Sequence, residues 1–201
     1  MIDMLKHTAT LSITILLLMV SLCAVVVAGQ KRYFPEGALD PASTGSDGFR
    51  NSWYSGQLEV MSEPALKPVA GTRTYRFTWL RTFNHPVAIR VVIGQAQCTL
   101  HATELDGAGG SAPGRVYRQK VEEIAPEACA RFEAFIRDHG FWSIARRGSA
   151  VGEDGSEWII EGVTDRYRVV TRWTPESGPV RAIGEQFLSL AGWKYPQREM
   201  H

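Results

Sequence analysis

The chain has 201 residues, with 22 basic and 21 acidic side chains, a formal net charge of +1 and 44% apolar residues. That length holds one ordinary domain plus a terminal appendage. No stretch clusters lysine and arginine, so the counterion release that drives nucleic-acid binding has no footprint, and nucleic acid is not an expected partner.

From Thr8 to Ala28 the sequence reads TATLSITILLLMVSLCAVVVA, without a charge. About 20 apolar residues cross a bilayer as a helix. The run is longer than the usual apolar region of a secretory signal, yet Val26-Val27-Ala28 offers a small-residue cleavage site. Residues 1–30 are therefore expected to form a hydrophobic helix, either a signal peptide or a single transmembrane anchor. Leu22 ahead of Cys23 does not suit a lipoprotein site. Lys6 is offset by Asp3, whereas Lys31 and Arg32 follow the run, so its flanks leave the orientation open. The expected location is the cell envelope, periplasmic or held at the inner membrane, with the domain extracytoplasmic.

FPEGALDPASTGSDG follows, rich in Pro, Gly, Ser and Asp, and residues 31–46 read as a linker ahead of a globular domain over 47–201. Ser46 or Asp47 is expected to cap a helix running to about Glu63, with Phe49, Trp53, Leu58 and Met61 at helical spacing. From Thr72 the period becomes two. TRTYRFTWLRTF alternates Tyr75, Phe77 and Trp79 with Arg76 and Thr78, and the parity slip at Leu80 predicts a bulge. VAIRVVIG, QCTLHATEL and RVYRQKVEEI continue an antiparallel meander. Pro126 opens a helix that Gly140 stops, a hairpin follows around Thr164-Asp165, and Pro179 to Ala191 forms a last helix. The expected fold is α+β: an antiparallel sheet of about six strands, a four-strand meander plus a C-terminal hairpin, with three helices.

In the hairpin, DGSEWIIEGVTDRYRVVTRWTP, a turn at Thr164-Asp165 would place Glu157 opposite Arg172 and Glu161 opposite Arg168. Such a ladder contributes roughly 0.2–1 kcal/mol per pair, and an arginine facing each carboxylate works against general-acid chemistry. Cys98 on a strand's apolar face and Cys129 on a helical stripe point into one layer if that helix covers that sheet. They form either a disulfide or two buried thiols.

The loop ELDGAGGSAPG is neither a P-loop, lacking Gly-Lys-Ser/Thr, nor a dinucleotide fingerprint, since it joins two strands. In a meander it shares an end of the sheet with Asn84-His85-Pro86. His85, Glu104, Asp106, Gly109 and Gly110 thus become the candidate ligand- or partner-binding rim, with Asp154 ahead of the hairpin. His101 and Glu104 fall on opposite faces of a strand; with no HExxH and no CxxC, no metal and no cofactor is expected, and no catalytic residue is assigned. Trp53, Trp142 and Trp193 are either packed or free to stack on a sugar or peptide.

LRTFNHPVAIRV, ELDGAGG and DGSEWIIEGV with YRVVTRWTP together resemble a family of uncharacterised bacterial exported and envelope proteins, over roughly Thr72 to Trp193. The resemblance implies one recurring domain and transfers no reaction. The function expected first is a non-enzymatic envelope protein binding a protein partner, of inhibitor or immunity type. The alternatives are a ligand-binding or hydrolytic domain built on His85, Glu104 and Asp106, and a membrane-anchored scaffold component.

Overall fold

The computed structural model describes residues 31–148, 152 and 154–200, and the expected hydrophobic helix at 1–30 lies outside them. In chain order the elements are α1 (Thr44–Val60), β1 (Arg73–Arg81), β2 (Val87–Ile93), β3 (Cys98–Leu105), β4 (Val116–Glu123), α2 (Pro126–Asp138), β5 (Ser156–Val163), β6 (Tyr167–Trp173) and α3 (Pro179–Ala191), then a 3-10 turn (Gln197–Glu199). The six strands make one sheet in the order β4-β3-β2-β1-β5-β6, antiparallel throughout. This is the α+β architecture the periodicities predict. Among the described residues no helix is long and apolar enough to cross a membrane.

Both faces of the sheet are covered. Tyr75, Phe77, Trp79, Ile89, Leu100, Trp158, Ile160 and Val170 meet Phe132 and Ile136 of α2 and Ile183 and Phe187 of α3 in the larger core. Cys98 and Cys129 are joined in a disulfide across this layer. Gly162 belongs to the same face, where a Cβ would stand 2.4 Å from the Phe141 ring. The opposite face puts Leu80, Ala88, Leu105, Ile159 and Val169 against Tyr54, Leu58 and Met61 of α1 and against Tyr33, Phe34 and Leu39.

This second core accounts for three departures from the sequence reading. The parity slip at Leu80 is not a bulge: β1 keeps one register with β2 and β5, and Leu80 is buried because the face opposite Trp79 is covered too. The only β3–β4 irregularity falls between Glu104 and Leu105. The stretch read as a linker is packed: buried Asp47 accepts from the backbone N–H of Gly37, Leu39 and Asp40, Asn51 donates to the Phe34 carbonyl at 2.9 Å, and Ser55 accepts from Tyr33 N–H. The helix starts earlier than expected, with the Ser43 hydroxyl accepting from Ser46 N–H, and its buried stripe is Asp47, Asn51, Tyr54 and Leu58, not one led by Phe49.

The hairpin register also differs. The connection is three residues, Thr164 to Arg166, with Thr164 N–H donating to the Arg166 carbonyl, so Glu157 faces Trp173, Trp158 faces Arg172, Glu161 faces Val169 and Gly162 faces Arg168. One residue of slip moves every side chain to the other face. Glu157–Arg172 and Glu161–Arg168 are therefore not cross-strand pairs. Arg168 and Arg172 lie on the α2/α3 side, donating to the carbonyls of Phe141 and Ile144 and of Thr171 and Ala145. Glu161 instead finds its partner on its other neighbour, opposite Arg76 of β1.

Candidate functional site

The meander brings His85 and Glu104 together, as its topology requires: the His85 ring Nδ1 is 3.5 Å from the buried Glu104 carboxylate. That carboxylate is already committed. Arg118 donates to one oxygen at 2.6 Å and Arg81 to the other at 3.2 Å. Both guanidinium groups are themselves stacked. Arg81 lies 4.3 Å from the Trp79 ring and 4.7 Å from Tyr195, while Arg118 lies 4.2 Å from Trp193 and 5.7 Å from Tyr195. The result is a column, Trp79–Arg81–Tyr195–Arg118–Trp193, with Glu104 bridging its two cations. Arg81 also reaches Glu199 at 2.9 Å and Arg118 the Tyr195 hydroxyl at 3.1 Å. Burial and the Glu104 charge push the Tyr195 phenol well above its usual range. The column fastens the segment after α3 to the sheet, with both Glu104 oxygens engaged by arginine.

The glycine-rich loop is similarly occupied. Asp106, exposed, accepts from Arg115 N–H at 2.6 Å and closes the loop on itself instead of joining His85 and Glu104. Gly109 and Gly110 donate to the carbonyls of Asn84 and Thr82, and the Gly109 carbonyl accepts from the Trp53 indole N–H at 2.7 Å. A Cβ at Gly109 would sit 2.6 Å from the Arg81 backbone nitrogen, so only glycine lets the loop approach the end of β1 this closely. The loop is a plug between β1 and α1.

The plug and the hairpin share one concave surface. Ser46, Phe49, Arg50 and Trp53 of α1, with Thr82, Gly110, Gly152, Glu157 and Trp173, line a groove of about 510 Å³. The volume falls within the ~300–1,000 Å³ of small-molecule and side-chain pockets. Its chemistry is mainly aromatic: Phe49 is 70% exposed, its ring centroid 6.3 Å from that of Trp53, and Trp173 closes the opposite side. At the floor Arg50 donates to the Tyr54 hydroxyl at 2.8 Å and to Glu157 at 3.2 Å. Of the residues expected to bind, Gly110 lines this groove; Asp154 is exposed in the approach to β5, while His85, Glu104 and Asp106 lie outside the lining. No sequence motif links Phe49, Arg50, Trp53 and Trp173. The available signal was Phe49, an aromatic side chain that falls off the stripe of Tyr54 and Leu58 on its own helix.

Burial pushes the Glu157 carboxyl above its usual range, against the pull of Arg50. The folded chain thus holds this proton more tightly than the unfolded chain, whose carboxyl titrates near 4.5. The Glu157 contribution is most favourable below that value and declines as pH rises through the folded pKa. Glu157→Gln is expected to flatten the fall in stability over this window, read as denaturation midpoints between acid and neutral pH.

No family model matches the chain, and comparisons with curated proteins and with solved structures return no match.

Proposed function

We propose that the chain is a non-enzymatic binding protein of the cell envelope, and that the groove between α1 and the β5–β6 hairpin receives an apolar side chain or short apolar segment of a protein partner. The groove itself carries this reading. Phe49, exposed at a concavity between half-buried Trp53 and Trp173, is the kind of aromatic side chain that protein interfaces use as an anchor. The paired charges support binding over hydrolysis: Glu157 at the groove floor is paired with Arg50, and Glu104, outside the groove, is held by two arginines. The Cys98–Cys129 disulfide supports an oxidising, extracytoplasmic location, in keeping with the uncharged run at Thr8–Ala28 and the resemblance to exported bacterial proteins.

A photo-crosslinking residue at Phe49, compared with one at Val69, tests the proposal; both positions are exposed, at 70% and 60%. A discrete envelope adduct is expected from position 49 and none from position 69. With the captured partner purified, Phe49→Asp should weaken binding by about 30-fold, the scale of an interface anchor. Equal adducts at both positions, or an affinity that Phe49→Asp leaves unchanged, would remove the groove from the account.

A further inference from the structure

The two edges of the sheet are treated differently. At β6, Thr171 N–H donates to the Arg146 carbonyl at 2.8 Å, and Arg147 forms a parallel bridge with Thr171, so a passing segment covers the edge. At β4 nothing among the described residues takes up the outward backbone groups, and seven of its eight residues are exposed, with Val121 at 66%. Ile124 N–H bonds the Cys98 carbonyl within the β3–β4 register, so the even-numbered residues of β4 bond inward. Gln119, Val121 and Glu123 therefore turn their N–H and C=O groups outward.

We infer that β4 pairs antiparallel with β4 of a second copy of this chain, with Val121 facing Val121 across the two-fold axis. The charges on the strand select this arrangement. Arg118 and Lys120 precede Glu122 and Glu123, a basic-to-acidic order that is complementary to itself when reversed. With Val121 on the axis, Lys120 of each copy faces Glu122 of the other on one side of the sheet, and Gln119 faces Glu123 on the other side. Moving the register by two residues sets Lys120 against Lys120 or Glu122 against Glu122, and the Arg118–Glu122 pairs that the first shift offers need an arginine already held by Glu104. Moving it by one sets outward residues against inward ones and loses the backbone bonds. Lysine on an edge strand ordinarily discourages pairing; here Lys120, which meets Glu122 of its own strand at 2.9 Å, also faces Glu122 of the second copy. About six backbone hydrogen bonds would form. The contact is isologous, so it closes after two copies.

The test is made on the full chain carrying Cys23→Ser, so that the only added thiol is the probe. Val121→Cys is expected to give a disulfide-linked dimer under mild oxidation, because directly opposed residues of a hydrogen-bonded pair have Cα atoms about 5.5 Å apart, within disulfide reach. Gln119→Cys, whose own copy lies about four residues away along the strand, roughly 13 Å, is expected to give none. Adding Lys120→Glu to Val121→Cys should cut dimer yield about tenfold, and adding Glu122→Lys as well should restore it. No dimer from Val121→Cys, equal yields from positions 119 and 121, or a charge swap that fails to restore what the single change removed would each overturn the pairing.

Discussion

Replacing Glu161 with alanine is expected to lower the unfolding free energy by about 3–5 kcal/mol, the cost of leaving a buried guanidinium without its counter-ion. Arg76 is fully buried, and its Nη2 lies 2.6 Å from a Glu161 oxygen. Burial opposes the Arg76 charge, but Glu161 and Glu63 together hold its pKa above the ordinary value. Glu63 cannot replace Glu161: it stands 3.4 Å from Arg76 and is shared with Arg90 at 2.8 Å. Tyr167, whose hydroxyl donates to the other Glu161 oxygen at 2.9 Å, would lose its acceptor as well. Glu161→Gln keeps the shape and an acceptor and should cost less than the alanine change. Tyr167→Phe, which removes one hydrogen bond, should cost about 1 kcal/mol. Denaturant unfolding followed by tryptophan fluorescence would rank the three variants. A Glu161→Ala midpoint indistinguishable from the parent would mean that Arg76 is solvated after all.

Opening the Cys98–Cys129 bond is expected to cost roughly 3–4 kcal/mol, the chain-entropy value for the 31-residue separation it closes. The bond ties the start of β3 to the first turns of α2 and encloses the whole of β4. Phe132 and Ile136 then seat α2 against Tyr75 and its neighbours, so the crosslink fixes the helix whose apolar stripe closes the larger core. The Cys98→Ala, Cys129→Ala and double variants should lose nearly the same amount, because each breaks the same bond and the effects cannot add. The parent in reductant should match them. Destabilisation by the double variant equal to the sum of the singles would point to packing of the thiols and away from the crosslink.

The fold was largely legible in the sequence because its signals are local. Pro126 and Pro179 at helix starts, Gly140 and Gly192 after helix ends, and strict alternation from Tyr75 to Trp79 each fix an element without help from distant residues. The errors cluster where a second, remote partner decides. Leu80 breaks parity only if the sheet has one wet face, and α1 with residues 33–39 removes that face. Glu161 sits on a central strand with two neighbours, but a hairpin argument sees only β6. Its true partner is 85 residues away in sequence. The candidate site follows the same rule. The meander placed His85 beside Glu104, but Arg81, Arg118 and Tyr195, which consume that carboxylate, come from β1, β4 and the segment after α3. The groove was least legible, since Phe49, Trp53, Glu157 and Trp173 meet only once α1 is laid across the hairpin.

Each face of the sheet buries ions within apolar packing, and the two materials respond oppositely to temperature. The side under α1 embeds Arg76, Glu161, Glu63 and Glu157, and the side under α2 and α3 embeds Arg81 and Glu104 at the Trp79 end. Apolar burial weakens on cooling, while the dehydration penalty of buried ions shrinks on warming. Cold should therefore loosen the aliphatic and aromatic contacts of both faces first. Heat should leave the ion pairs the better preserved.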